Sequence, residues 1–214
     1  FIGSHDQRLL ITNSFTNRLV HRWRSEEMAI MVGKNTALRD NPSLNTRFWS
    51  GKNPVRIVTD SNLQIPGSAH LLDGSVHTIV FNSVKDESIN NTEYVKFEIR
   101  DAPMEIIAVN NADDKHDLAV KLVEDHGSTA AGKELIMGMM EALYMRNITS
   151  VFVEGGATLL QSFIDAGCWD ETRVITNTRL LAGSGVKAPV TAIPSDANSF
   201  MIADDQVTIF ARGN

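Results

Sequence analysis

The chain has 214 residues, 20 Lys and Arg against 26 Asp and Glu, and a formal net charge of −6 at pH 7; with no block of like charge, that balance excludes a nucleic-acid footprint and a polybasic membrane segment. One cysteine, Cys168, rules out an intrachain disulfide framework and a multi-cysteine zinc site, and fits a reducing cytoplasm. No apolar run approaches the roughly 18 residues of a membrane span and the opening residues lack a signal-peptide pattern, so a small molecule is the expected partner of what reads as one α/β domain.

In chain order, residues 16–27 predict a first helix with Leu19, Val20 and Trp23 turned inward. Five short β-branched runs read as central strands: "AIMV" (29–32), "VRIVT" (55–59), "HTIVF" (77–81), "EIIAV" (105–109) and "SVFV" (150–153). The polar segments 83–104 and 110–131 read as surface connections with one short helix. A longer helix is expected over 133–146, with Leu135, Ile136, Met139, Met140 and Leu143 inward and the methionines at 137, 139, 140 and 145 as core filler. After the last central strand, Leu159, Leu160, Phe163 and Ile164 recur at helical spacing. "SFMIA" and "VTIFAR", separated by "DDQ", predict a closing antiparallel hairpin. The alternation predicts a mostly parallel sheet with helices on both faces.

Two polar clusters interrupt this scaffold. The first is Glu154, Gly155 and Gly156, at the seam between an apolar strand and a helix. Glycine there permits a positive φ and a close approach of another group, and the unpaired N–H groups of the helix start would suit an anion such as phosphate. A tight turn that binds nothing satisfies the same pattern. The second is "VGKNTALRDNPSLNTR" (32–47), where Thr36, Asp40, Asn41 and Arg47 gather around an Asn-Pro turn after a strand. Loops beyond the carboxyl ends of such strands form the ligand crevice of a doubly wound sheet, so the two clusters are expected to face each other.

Six motifs in order then resemble the reductase domain of the riboflavin-biosynthesis deaminase–reductase, which has a dihydrofolate-reductase-like fold. They are "LLIT" (9–12), "HRWR" (21–24), "VGKNTALRDNPSLNTR" (32–47), "NPVRIVTDS" (53–61), "VEGGATLLQSF" (153–163) and "WDE" (169–171). The resemblance implies NADPH-dependent conversion of the ribosylamino group of a phosphorylated aminopyrimidine into a ribitylamino group. It implies that Thr36 and Asp40 touch the nicotinamide cofactor, that Ser61 meets its adenosine end, and that Gly156, Ala157 and Thr158 hold its diphosphate. It also implies that Arg24, Leu44, Arg47 and Glu154 contact the substrate. Arginines suit a ribose 5-phosphate because guanidinium groups give bidentate, charge-assisted bonds.

The family opens with a strand and an Asp-Gly turn, and residues 1–3 match positions just after that turn, so the expected domain, 1–214, lacks its first strand and carries no deaminase half. Arg8, Leu9 and Leu10 stand where the family has a small polar residue and a tryptophan. A homodimer and a cytoplasmic location are further expectations. Because the cofactor supplies the hydride, the protein's task is to orient nicotinamide C4 against ribose C1′. That task needs no triad or metal, and the six histidines show no metal-ligand spacing. His21 lies one turn before Arg24. Glu154 is expected to hold the pyrimidine, with steering of a proton as its alternative catalytic role. A related reductase of another pterin or pyrimidine, and a nucleotide-binding domain without turnover, remain alternative readings.

Overall fold

Asn13 opens the first helix, α1 (Ser14–Glu26), because its side chain accepts the backbone N–H groups of Phe15 and Thr16 at 2.9 and 3.0 Å, two of the donors a helix start otherwise leaves unpaired. In this computed structural model residues 1–3, 11–97, 129–180 and 184–213 are described. The buried residues of α1 are Thr16, His21 and Trp23. Leu19 and Val20, expected inward, are only half-buried: the stripe is rotated toward His21, which packs edge-on against Phe48 with ring centroids 4.8 Å apart.

β1 (Ala29–Gly33) is the centre of the fold. It pairs in parallel with β2 (Val55–Thr59) on one side and with β6 (Val151–Gly155) on the other. β3 (Thr78–Asn82) and β5 (Thr92–Lys96) continue the parallel array, and β4 (Glu87–Ile89) closes it antiparallel, in the order β4-β5-β3-β2-β1-β6. The period-2 alternation of a strand divides β1 between two cores. Ala29 and Met31 join Ile57, Ile79 and Phe81 on one face, while Ile30 and Val32 join Val58 and Val80 on the other.

Helices α3 (Thr129–Tyr144) and α4 (Ala157–Ala166) cover the first face through Ile136, Met139, Leu143 and Phe163. The second face is covered by the short helix α2 (Lys34–Asp40), by Leu44, and by the loop bearing Ile65 and Leu71 within a 3₁₀ turn, His70–Leu72. Among the described residues no helix is long and apolar enough to cross a membrane.

A separate three-stranded antiparallel sheet follows, ordered β7 (Glu171–Asn177), β9 (Asp205–Ala211), β8 (Asn198–Ile202). The expected closing hairpin is β8 and β9. β7 was not anticipated, because Glu171, Arg173 and Thr176 break its apolar run. Arg173 ties it to the rest of the fold: its guanidinium lies over the rings of Trp23 and Phe152, 4.9 and 5.7 Å from their centroids, and pairs with Glu27 at 3.5 Å. Among the described residues β6 pairs only with β1 and β7 only with β9. A cavity of about 1,280 Å³ lies between them, lined by residues 151–156 and 171–175.

Three expectations are corrected. Segment 83–104 is not merely a connection, since it holds β4 and β5; their alternation is short and partly exposed, which hid it. Met137 and Met145 are not core filler, being 49 % and 68 % exposed: the helix turns Met137 away from the stripe of Met139, and Met145 lies in the turn that follows α3. Leu135 and Met140 are half-buried at its margin. The expected strand 105–109 and most of 110–131 lie outside the described residues.

Candidate active site

The strands β6, β1 and β2 end side by side, with Val32 opposite Gly155 and Gly33 opposite Thr59. Their carboxyl ends therefore present Glu154–Gly156, the start of α2 and the Asp60–Ser61 turn along one edge of the sheet, the position at which an open α/β sheet binds ligands.

Gly156 is the N-cap of α4, at φ +27°, and no side chain caps that helix. Its own N–H donates to Thr36 Oγ1 at 2.9 Å, which joins the two polar clusters directly. A Cβ built on Gly156 would lie 3.1 Å from that oxygen. With no side-chain cap, the first-turn N–H groups of α4 remain available to an anion, as the diphosphate of a dinucleotide requires. Ala157 and Thr158 form that first turn, Ala157 half-buried and Thr158 exposed. Asp40, at the carboxyl end of α2, is exposed, and together with Thr36, Glu154 and Gly156 it borders the large cavity. Ser61 stands apart from that cavity, half-buried, with its carbonyl accepting the Ser83 N–H at 2.9 Å.

Arg24 and Glu154 meet as an ion pair. Arg24 Nη2 reaches both carboxylate oxygens at 2.6 and 2.7 Å and Nε reaches Oε1 at 3.1 Å, while Nη1 donates to the Asn45 carbonyl at 3.0 Å. Arg24 thereby clamps the 44–48 loop as well as the β6 end. Arg47 is exposed, donates to Asn45 Oδ1 at 3.0 Å and lies 4.8 Å from the Phe48 ring centroid, which leaves it the more accessible cation. Leu44 is 2 % exposed at φ +46°. Its side chain belongs to the second core, so only its backbone faces outward chemistry.

His21 sits beneath this cluster at 1 % exposure. Burial, reinforced by the Arg24 and Arg47 charges, pushes its pKa down to about 4, against a weaker opposing effect of the Asn45 backbone. The imidazole is thus neutral at pH 7. Asn45 and Phe48 are loop residues that sequence reading did not single out. Asn45 lay inside the quoted motif without a distinguishing charge, and Phe48 lay one residue past it. Among the described residues no group of three or more His, Cys, Asp or Glu side chains is placed to hold a metal ion.

Comparison with known proteins places this geometry. Residues 3–202 match the RibD C-terminal domain. A 2,5-diamino-6-ribosylamino-4(3H)-pyrimidinone 5′-phosphate reductase of Aquifex aeolicus is 30 % identical over 171 residues, covering 79 % of this chain and 65 % of that protein. The riboflavin biosynthesis protein RibD of Bacillus amyloliquefaciens is 27 % identical over 176 residues, covering 81 % of this chain and 41 % of that protein. The chain therefore spans less than two thirds of the length of these relatives. Among solved structures, the deaminase/reductase of Thermotoga maritima superposes with TM-score 0.68 at 21 % identity, over 97 % of this chain and 52 % of that one. The riboflavin biosynthesis reductase Rib7 of Saccharomyces cerevisiae does so with TM-score 0.65 at 23 % identity, over 98 % and 85 %. These likenesses establish the mixed α/β, dihydrofolate-reductase-like fold.

Proposed function

The chain belongs to the RibD C-terminal domain family, and from that premise we propose that it reduces the ribosylamino group of 5-amino-6-(5-phosphoribosylamino)uracil, or of the related diaminopyrimidinone phosphate, to a ribitylamino group in riboflavin biosynthesis. A reductase of this kind draws its hydride from a nicotinamide cofactor, and NADPH is the form proposed here. The observation that carries the reading is the Thr36–Gly156 hydrogen bond beside the uncapped start of α4. It brings cofactor positions from two distant motifs to one strand edge, next to the Arg24–Glu154 pair.

In this reading the α4 start receives the diphosphate, with Ala157 and Thr158 in its first turn, while Thr36 and Asp40 border the nicotinamide and Ser61 the adenosine. Nicotinamide, when bound, supplies a hydride to ribose C1′. Arg47 takes the substrate phosphate, and Leu44 contributes backbone contacts. Glu154 holds the pyrimidine rather than acting as an acid, because a carboxylate with both oxygens on a guanidinium is an acceptor. The protein orients and excludes; the cofactor carries the chemistry.

The expected organisation as one reductase domain is proposed, with residues 3–202 matching a single family model as its support. A homodimer is proposed from the edge position of β8, where Phe200 and Met201 are 39 % and 54 % exposed. A cytoplasmic setting is proposed from the chemistry alone. Purified protein is tested by NADPH oxidation with the aminopyrimidine phosphate, against NADH and a phosphate-free pterin. Turnover with the pterin alone would reject the substrate, and equal dissociation constants for the two cofactors would reject the NADPH preference.

A further inference from the structure

We propose that Phe48 is a positioning residue for the substrate phosphate: its ring, seated against the buried imidazole of His21, keeps the Arg47 guanidinium where that phosphate is received. The inference rests on the reading of Arg47 given above and adds a residue to which that reading gives no part.

Arg47 is weakly held by its own hydrogen bonds. It is exposed, and among the described residues its guanidinium makes one such bond, to Asn45 Oδ1 at 3.0 Å. A long side chain held at one point keeps most of its rotamer freedom, and that freedom is lost when it binds an anion. Contacts that fix the guanidinium beforehand reduce the loss. Two supports converge on it. The first is Asn45, whose backbone carbonyl accepts Arg24 Nη1 at 3.0 Å while Arg24 is paired with Glu154, so the amide that holds Arg47 is tied to β6. The second is Phe48. Its ring centroid lies 4.8 Å from the Arg47 guanidinium carbon and 4.8 Å from the His21 ring centroid, with the two rings at 76° to each other.

The face of an aromatic ring attracts a guanidinium, and an edge-to-face pair fixes the orientation of both rings. His21 gives that pair a firm base: it is 1 % exposed within α1 and, being neutral at pH 7, adds no third positive charge beside Arg24 and Arg47. The backbone that carries the ring is held as well. The Trp49 N–H donates to the Thr46 carbonyl at 2.9 Å, and the buried Thr46 bonds Asn53 Oδ1 through its N–H and its hydroxyl at 2.9 and 3.0 Å. Phe48 is nonetheless 47 % exposed, so its ring adds little to the core. Trp49 is similarly exposed, but its ring lies by Arg22, at 5.8 Å, and Arg22 is paired with Glu26.

The test titrates ribose 5-phosphate, which carries the phosphate without the pyrimidine, into the natural protein and its variants by calorimetry. Phe48→Leu keeps an apolar side chain against His21 and loses the ring face, so the dissociation constant should rise roughly three- to fivefold. Phe48→Tyr keeps the ring and places its hydroxyl at an exposed position, and should restore the natural value. Trp49→Leu removes the neighbouring ring and should leave the constant unchanged. NADPH affinity should be the same in all of them, and in turnover Phe48→Leu should raise KM for the aminopyrimidine phosphate by the same factor at unchanged kcat. An unaltered ribose 5-phosphate constant in Phe48→Leu, a loss that Phe48→Tyr does not restore, or an equal loss in Trp49→Leu would each overturn the inference and leave the proposed reduction standing. The expected ribose 5-phosphate shifts without any NADPH oxidation would support the positioning role and overturn the proposed reduction. Failure of the natural protein to bind ribose 5-phosphate would overturn the inference together with the reading of Arg47.

Discussion

Arg24 and Glu154, 130 residues apart in sequence, are bound to each other through both carboxylate oxygens, at 2.6 and 2.7 Å from one guanidinium nitrogen. The side chains keep only 12 % and 21 % of their exposure, so the pair is screened less than a surface ion pair. Glu154→Gln preserves shape and removes the charge. Its expected effect is a loss of kcat/KM for the aminopyrimidine phosphate of roughly ten- to a hundredfold, the equivalent of one charged hydrogen bond worth about 1.5–3 kcal/mol, with NADPH affinity near that of the natural protein. Arg24→Lys loses the two-pronged geometry. The double variant should cost clearly less than the sum of the singles, as residues sharing one network do. Additive losses in steady-state kinetics would mean that the two side chains act independently.

Gly156→Ala meets two obstacles at once. The φ of +27° is one that L residues rarely adopt, and the new methyl group would stand 3.1 Å from Thr36 Oγ1. The strain should cost about 1–2 kcal/mol, which for a domain of this size lowers Tm by roughly 2–8 °C. NADPH affinity should fall as well, since the anion-facing turn is displaced. Thr36→Val separates the two effects: it removes the acceptor for the Gly156 N–H without adding bulk at the turn. Calorimetry and cofactor titration should show Gly156→Ala impaired in both readouts and Thr36→Val impaired chiefly in binding.

The parallel core was legible because β1, β2 and β3 are buried on both faces and so read as unbroken apolar runs. β4 and β5 were not, because Glu87, Glu93 and Lys96 put charges among their residues and make a strand pair look like a polar connection. The Gly156 seam was readable from its glycines. The Arg24–Glu154 pair was not, since each residue carries a role of its own in the motif and only the tertiary fold shows that they meet. Leu44 shows the reverse limit: its motif position suggests a contact, while its side chain is spent on the core and only the backbone can serve.

Arg56 anchors the loop that covers the second core. Its guanidinium, 1 % exposed, donates to Asp73 Oδ1 at 2.8 Å and to the carbonyls of His70 and Leu71 at 3.2 and 3.4 Å. Ser75 and Arg56 hold the Asp73 carboxyl down to about 2. Asp73→Asn leaves a buried cation less compensated. Because the Asp73 side chain is 44 % exposed, solvent screening limits the loss to about 1–2 kcal/mol, read as a lower urea midpoint at unchanged slope. The difference from the natural protein should persist above pH 3.8 and fade as pH falls toward 2. No change in midpoint at pH 7 would show that the carbonyl bonds alone suffice.

His21 carries the pH dependence that lies closer to neutrality. Its pKa in the folded protein is depressed from 6.5 to about 4, so on unfolding the imidazole gains affinity for a proton. The stability it contributes is present above pH 6.5 and is lost as pH falls through that value toward 4, because the unfolded chain is protonated first. Between pH 7 and pH 5 the loss should be on the order of 2 kcal/mol. His21→Phe keeps an aromatic ring against Phe48 but cannot titrate. It is expected to be less stable at pH 7, since the Asn45 contact is gone, and to lose less further stability on acidification than the natural protein. Urea unfolding of both proteins at pH 7, 6 and 5 reads the two slopes. If they are parallel, His21 takes up its proton over the same pH range folded as unfolded, and the depressed imidazole beneath Arg24 and Arg47 is the wrong description of the site.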